Sequence, residues 1–176
     1  PCARRGRRDA ADGARRAAQA TEVGCQRAPR AAVRQARIDV DEGTWIDLDV
    51  SPDGRTIAFA LLGDIYTMPI GGGTPTRIAE GLAWEVQPRF SPDGRRIAFT
   101  SDRGGGDNIW IMNVDGGDKR QVTKEEFRLL NQPTWSADGR FIAAKKHFTT
   151  GRSLGTGEVW LYHVSGGGGL VLVKKP

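Results

Sequence analysis

Residues 91–117 decide the fold; they read SPDGRRIAFTSDRGGGDNIWIMNVDGG. The opening Ser-Pro-Asp-Gly carries turn chemistry, because proline fixes φ, aspartate bonds to nearby backbone and glycine tolerates positive φ. Ile97, Ala98 and Phe99 then alternate with the period of a strand, and residues 108–113 form a second run rich in aromatic and branched side chains. A lone hairpin cannot bury its apolar faces. We therefore expect this segment to be one unit of a repeat.

The same unit occurs three times. Ser-Pro-Asp-Gly or Ser-Ala-Asp-Gly begins at Ser51, Ser91 and Ser136, and each is followed by Arg, a variable residue and Ile-Ala. In each copy a second strand then ends shortly before a double glycine. A period of about 40–50 residues built from short strands is the signature of β-propeller blades, including WD-like repeats. The sequence predicts an all-β fold, a partial β-propeller of three consecutive four-stranded antiparallel blades.

We place the blades at about residues 44–79, 83–123 and 131–173, within a propeller region of residues 38–176. The middle strands of stacked blades are buried on both sides. Ile57, Ile97 and Ile142 should therefore fill one face of each sheet. The alanines that follow them should keep the other face thin enough for the neighbouring blade.

Aromatic side chains hold one equivalent position in the third strands, at Tyr66, Trp110 and Trp160, where each is wide enough to reach an adjacent sheet. Blade three departs from the pattern, because Ala144 replaces the phenylalanine of the other two copies. Either Phe141 or Phe148 refills that volume, or the third blade is looser.

Residues 1–37 differ in composition from the repeats. They hold ten Arg against three acidic residues, an excess of seven positive charges within a total of +5, so the repeat region is slightly acidic. Almost no large apolar residues are present, and we predict a disordered Arg/Ala-rich basic tail. One alternative is a basic arm for nucleic acid, but the tail lacks aromatics that would stack on bases. The other is sequence foreign to the domain, from a wrong start or frame in a GC-rich gene.

The sequence itself does not indicate a cellular location. Cys2 and Cys25, its two cysteines, both lie in the tail, and no apolar segment follows the early arginines as it would in a secretory signal. No run of residues is long and apolar enough to predict a transmembrane helix. We expect neither a membrane span nor a nucleic-acid partner.

Several motifs together resemble the TolB-like propeller repeats: the SPDG-x-x-Ile-Ala strand, the Ser-Asp-Arg corner at residues 101–103 and the Asn-Ile-Trp strand at residues 108–110. Residues 42–45 (EGTW), 62–66 (LGDIY) and 152–155 (RSLG) are similar to the N-terminal propeller of large secreted bacterial proteins that end in an amidohydrolase domain. The resemblance implies a ring of six or seven blades in a periplasmic or exported protein. It also implies that the chain is a fragment, whose parent is a metal-dependent hydrolase with its catalytic domain beyond residue 176.

Candidate catalytic and metal-binding residues are few. An amidohydrolase needs a His-x-His motif with further ligands, whereas this chain has only His147 and His163, sixteen residues apart. Ser153 lacks the Gly-x-Ser-x-Gly context of a hydrolase nucleophile. The triple glycine at residues 104–106 is not followed by a helix pattern, as a phosphate loop would be. We predict no catalytic, cofactor-binding or metal-binding residue, and no cofactor.

The repeated aspartates Asp53, Asp93 and Asp138 offer calcium binding as an alternative, since carboxylates near glycine resemble a cation loop. Their place in Asp-Gly turns explains them without a metal. We interpret them as turn residues.

Binding is the function that the sequence favours. The loops after the second and fourth strands of a blade fall on the same rim, which here collects residues 81–86, 102–107, 124–130 and 147–157. The last of these is the longest insertion, and long loops on rigid sheets commonly hold ligands. A solvated loop, or a seat for a missing domain, is the alternative.

Two hypotheses follow. In the first, the chain is a noncatalytic propeller segment that binds a protein partner or ligand, or positions a neighbouring domain of its parent chain. In the second, it is the accessory part of a hydrolase, of the amidohydrolase kind or, as a weaker form, of the prolyl-oligopeptidase kind.

Overall fold

The computed structural model describes residues 43, 46–126, 129–147 and 157–174, and all regular elements in these ranges are strands. They form three four-stranded antiparallel sheets, each ordered as in the sequence. Blade one contains β1 (Leu48–Val50), β2 (Thr56–Leu61), β3 (Asp64–Pro69) and β4 (Thr76–Ala79). Blade two contains β5 (Glu85–Phe90), β6 (Arg96–Ser101), β7 (Asn108–Asn113) and β8 (Arg120–Gln121). Blade three contains β9 (Leu130–Trp135), β10 (Phe141–His147), β11 (Gly157–His163) and β12 (Leu170–Val173). The predicted partial propeller of three blades is confirmed.

The structure describes few of the residues that precede β1. The tail at residues 1–37 lies outside the described residues. β1 begins at Leu48, and just before it the Asp47 carbonyl accepts from the Ala60 N–H (2.9 Å). Within the described ranges no helix is long and apolar enough to cross a membrane.

The core consists of two blade-to-blade interfaces. We call the sheet face that carries Ile57, Ile97 or Ile142 the front of a blade, and the opposite face the back. Ala58, on the back of blade one, lies in one buried cluster with Ile97 of blade two. Ala98, on the back of blade two, lies in a second cluster with Ile142 of blade three. The expected pairing of a thin alanine face with an isoleucine face is therefore what joins consecutive blades.

The aromatic position of the third strands also serves these interfaces. Trp110 packs against the first cluster and Trp160 against the second. Tyr66, on the front of blade one, instead stacks on Phe59 with ring centroids 5.5 Å apart.

Tyr162 lies beside the small Ala144 in blade three, where the sequence analysis expected Phe141 or Phe148 to restore the lost volume or the blade to be looser. Both side chains share the front face and the second cluster, and Tyr162 is 1% exposed. Phe141 lies away from this volume, at the other end of the strand, with its ring edge-on to His163. Phe148 is outside the described residues. Among the described residues, Tyr162 and not Phe141 supplies bulk next to Ala144.

The innermost strands of blades two and three each contain a bulge that the sequence analysis missed. Gln87 and Gln132 have positive φ (58° and 56°), and each precedes a proline where the strand ladder shifts register. The Gln87 side-chain oxygen accepts from the Gln132 N–H (2.7 Å) and from the Thr100 hydroxyl (3.1 Å). The bulge thus turns a backbone donor toward the preceding blade and helps to fix the angle between blades.

Candidate functional site at the loop rim

The described parts of the loops predicted to share a rim do meet there. The Trp84 N–H donates to the Asp102 carboxylate (2.8 Å), which joins the loop between blades one and two to the β6–β7 loop. The Leu130 N–H donates to the Asp107 carbonyl (3.0 Å) and so brings in blade three. We call this edge the loop rim, and the opposite edge, which carries the Ser-Pro/Ala-Asp-Gly turns, the turn rim.

An ion pair between a buried carboxylate and a solvent-exposed guanidinium lies at the blade-two part of the loop rim. Glu85, at the start of β5, is fully buried, and its Oε1 accepts from Arg103 Nε (3.1 Å) and Nη2 (2.8 Å). Arg103 also donates to the Glu80 carbonyl (2.9 Å), whereas Glu85 Oε2 has no hydrogen-bond partner among the described residues. Burial raises the pKa of Glu85, while the Arg103 hydrogen bonds act to lower it.

Asn108 joins the loop rim of blade two to the connection that enters blade three. Its Nδ2 donates to the Gly106 and Glu125 carbonyls (3.1 and 3.0 Å). Its Oδ1 accepts from the Thr123 hydroxyl and the Glu125 N–H, both at 2.8 Å. A buried amide with all of these contacts satisfied is a rigid anchor, so the backbone of Glu125 is firmly placed.

The Glu125 carboxylate then organises a network under blade three. Lys146, only 8% exposed, donates from Nζ to Glu125 Oε1 (2.6 Å) and lies 4.1 Å above the Trp160 ring. The Tyr162 hydroxyl is 3.5 Å from the same oxygen, and the pKa of Tyr162 is raised by burial and by the Glu125 carboxylate. We call Glu125, Lys146, Trp160 and Tyr162 the rim network. It lies beside the start of the connection at residues 148–156, which is outside the described residues.

His147 and His163 do not form one site. His147 is buried at the loop-rim end of β10, with Nε2 3.1 Å from the Asn131 side-chain oxygen and Nδ1 without a partner among the described residues. Burial, followed by the charge of Lys145, lowers its pKa. His163 lies at the turn-rim end of the hairpin, about 20 Å away along the strands, beside the Ser165 hydroxyl (2.6 Å). Among the described residues, no three His, Cys, Asp or Glu side chains are grouped as metal ligands.

The turn aspartates are engaged within their own turns. Asp93 Oδ1 accepts from the Ser91 hydroxyl (2.6 Å) and the Arg95 N–H (3.1 Å), and the same pair of bonds occurs at Asp53 and Asp138. These bonds, first the one from serine, lower the pKa of each aspartate. Their geometry is that of a repeated turn, as interpreted from the sequence.

The two remaining candidates from the sequence analysis, the triple glycine and Ser153, acquire no site in the described part of the chain. Residues 104–106 form the turn into the strand β7, so the strand-loop-helix arrangement of a phosphate site is not built there. Ser153 is outside the described residues.

A cavity on the turn rim escaped the sequence analysis. Its volume is about 420 Å³, and it lies between blades one and two. Its lining comes from two successive turns and the strands beneath them: Ser51, Pro52, Asp53, Thr56, Thr67, Phe90, Pro92, Asp93, Gly94 and Val114. Because it forms only where two blades meet, no local sequence signal reports it.

The model of the Tricorn protease N-terminal beta propeller domain matches residues 47–171, which span all three blades. The chain belongs to this family. Tricorn protease homolog 1 of Streptomyces coelicolor is 33% identical over 92 residues, 52% of this chain and 9% of that protein. The Tol-Pal system protein TolB of Bordetella pertussis is 47% identical over 58 residues, 32% of this chain and 13% of that protein.

A solved structure supports the same relationship. The structure of a putative TolB from Agrobacterium tumefaciens matches with a TM-score of 0.62 and 29% identity, covering 70% of this chain and 47% of that one. The chain is thus a propeller segment of the Tricorn and TolB type, and it spans only part of the relatives that it matches. The amidohydrolase parent stays a prediction.

Proposed function

We propose that the chain is a noncatalytic propeller segment whose loop rim binds an extended segment of a protein partner or of a neighbouring domain. The observation that carries the proposal is the rim network. Burying an ion pair is a poor way to gain stability, since desolvation offsets much of the attraction. The Glu125–Lys146 pair lies at a rim, and Asn108, whose hydrogen bonds are all made, fixes the backbone of Glu125. The need to hold the loops in one arrangement explains the pair better than a gain in stability does.

The chemistry at this rim suits peptide recognition. Lys146 and Arg103 are each held by one carboxylate. Rigid polar side chains beneath exposed loops provide directional contacts at a low entropic cost of binding.

Binding can be tested with an array of fifteen-residue peptides of acidic, basic and apolar composition, followed by titration of the positive ones. We expect binding of one compositional class. Lys146→Met, which keeps an unbranched side chain one atom shorter and removes its charge, should weaken binding at least tenfold, and Glu125→Gln should also weaken it. Arg55→Met, at an exposed position on the turn rim, is the control. Absence of binding by the unmutated chain, or equal binding by folded Lys146→Met, would contradict the proposal.

A second candidate function is accessory to catalysis. The matched family and the Streptomyces relative are named for a protease, which favours a peptidase parent, while the resemblance stated above favours an amidohydrolase. The natural gene distinguishes them. A downstream His-x-His domain indicates an amidohydrolase, a serine-hydrolase domain indicates a peptidase, and a ring without either indicates a TolB-like binder.

We also propose a periplasmic or exported location, which rests on the similarity to TolB. Fusing the gene's natural upstream region to alkaline phosphatase, which is active only after export, tests it. An inactive fusion would contradict the proposal.

A further inference from the structure

The cavity on the turn rim, between blades one and two, is open to solvent and acidic. Four of its lining residues, Pro52, Asp53, Pro92 and Asp93, are exposed. Within the described residues its lining contains these two carboxylates and no basic side chain. Its volume of about 420 Å³ lies in the range of ligand pockets, about 300–1,000 Å³. The cavity can therefore admit a ligand, and its charge favours a cationic one.

The corresponding space between blades two and three holds an arginine of the chain itself. Arg96, at the start of β6, lies with its guanidinium carbon 5.1 Å from the centroid of the Trp135 ring. Its Nη2 also donates to the carbonyl of Gly139, in the turn of blade three (3.4 Å). A planar guanidinium can stack on an aromatic ring and still donate hydrogen bonds at its edge. This interface thus shows how two successive turns and an aromatic ring hold a guanidinium.

Smaller residues leave this space open between blades one and two. Thr56 holds in β2 the position that Arg96 holds in β6. Thr67 likewise holds in β3 the position of Ile111 in β7. Both threonines line the cavity. The cavity exists because the chain supplies no long side chain at these two positions.

The other parts of the arrangement are kept. Phe90 lines the cavity at the position that Trp135 has in blade three, since each pairs with the isoleucine of its own second strand. Gly94, which corresponds to Gly139, also lines it. In both interfaces an ideal Cβ on the turn glycine would lie near the proline of the preceding turn, at 3.5 and 3.8 Å. The turns therefore pack alike, and an aromatic ring and a turn carbonyl recur at the cavity.

The two aspartates of the cavity can accept further hydrogen bonds. Asp53 and Asp93 each accept their turn bonds at Oδ1, and within the described residues no hydrogen bond is made to either Oδ2. The serine bond, followed by the backbone bond, lowers the pKa of both carboxyl groups, so both are charged at neutral pH. A cation in the cavity would meet two negative charges at its mouth.

We propose that the turn-rim cavity binds the arginine side chain of a protein partner, in the way that the next interface holds Arg96. The guanidinium lies against the Phe90 ring and donates to the Gly94 carbonyl and to the carboxylates of Asp53 and Asp93. Arginine suits the site better than lysine, because an ammonium group has neither the flat face nor the fork of donors. This site lies on the rim opposite the one in the proposed function and does not depend on it.

Three capped tripeptides test the chemistry of the ligand: acetyl-Gly-Arg-Gly-amide and its lysine and norleucine analogues. Each is titrated into the nitrogen-15-labelled chain while the amide chemical shifts are followed. We expect the arginine peptide to shift the amides of Asp53 and Gly94 and to bind at least fivefold more tightly than the lysine peptide. The norleucine peptide should give no saturable shift, because it lacks the charge.

Substitutions in the cavity test its location. Thr56→Arg supplies from within the chain the side chain that Arg96 supplies in the next interface, so it should abolish binding. Thr134→Arg makes the same substitution at an exposed position of β9 and should bind as the unmutated chain does. Asp53→Asn should weaken binding at least threefold, whereas Asp138→Asn, in the equivalent turn of blade three and outside the cavity, should not.

Several outcomes would overturn the proposal. They are the absence of a saturable shift with the arginine peptide, equal binding of the lysine or norleucine peptide, shifts confined to residues outside the cavity, and undiminished binding by folded Thr56→Arg. Circular dichroism checks that each variant folds. If Thr56→Arg does not fold, the comparison of Asp53→Asn with Asp138→Asn decides, and equal binding by these two variants would overturn the proposal.

Discussion

At the scale of single residues, Gly116 of blade two lies against the Ile78 backbone of blade one. Its φ is +85°, and a Cβ there would overlap the Ile78 carbonyl oxygen, which already accepts from Lys119 Nζ (2.9 Å). Gly72 has a similar φ of +91°, with nothing within 4 Å of its Cβ position. Gly116→Ala should therefore cost about 1–3 kcal/mol more than Gly72→Ala, the usual range for overpacking. Urea titration of both variants measures the difference, and equal losses would mean that blade one does not approach this turn closely.

Asp93 should make stability depend on pH. Its pKa is lowered from 3.8, so its carboxylate favours the folded state above that value, and this contribution disappears as the pH falls through the lower folded pKa. Asp93→Asn should therefore be less stable than the unmutated chain at pH 7. The difference in their free energies of unfolding should narrow below pH 3.8. Urea midpoints at pH 7, 5 and 3 check this. A constant difference at all three values would show that the charge of Asp93 is not what the turn uses.

The contribution of Glu85 to stability changes with pH in the opposite direction to that of Asp93. The prediction therefore compares Asp93→Asn with the unmutated chain. Burial raises its pKa, so its contribution is present below its unfolded value and is lost as the pH rises through the folded pKa. Because Glu85 is the same in both chains, its effect cancels in the difference between Asp93→Asn and the parent.

At the scale of strands, the sequence was informative where the signal is local. The turn motifs and the two-residue period locate β2, β3, β6 and β7, and the Ile-Ala pairs identify the two faces of each sheet. The bulges at Gln87 and Gln132 were not predictable, since positive φ at a non-glycine residue before proline has no strong local signature.

The candidate site shows the same division. Strand order alone predicts which loops share the rim. It does not predict the side-chain contacts of the rim network. Glu125 meets Lys146 across 21 residues and Tyr162 across 37, and nothing in either segment identifies the other. Contacts that depend on the angle between blades require the structure.

The exchange of bulk between Ala144 and Tyr162 leads to a prediction for blade three. Ala144→Phe alone should overpack the interface, and Tyr162→Met alone should leave a cavity, each costing about 1–3 kcal/mol. The double variant recreates the Phe99 and Met112 combination of blade two, so its loss should be clearly smaller than the sum of the single losses. Chemical denaturation of the four chains completes the cycle. Additive losses would mean that the two side chains do not share one volume.

At the scale of the whole molecule, the composition of residues 1–37 predicts that they add little to stability. They lack the large apolar side chains that would anchor them to a sheet. Deleting them should leave the melting temperature unchanged within error, by calorimetry at one protein concentration. A decrease of several degrees would show that this segment contributes to the fold.

The exposed apolar faces at the front of blade one and the back of blade three lead to a prediction about covalent closure. Joining Lys174 directly to Gly43 of a second copy leaves six residues between β12 and the next β1, within the range of the natural connections, which have five and eight. The resulting six-blade chain can cover every open face internally, and burying one large apolar side chain contributes about 1.5–3 kcal/mol. Because its partner blades are tethered, its melting temperature should exceed that of the single chain and should not vary with concentration. The single chain, whose exposed apolar faces can associate, should melt at a higher temperature as its concentration rises. Calorimetry of both chains over a fiftyfold range makes the comparison. A tandem chain that melts no higher than the single one, or that aggregates, would show that three blades of this shape cannot close with three more.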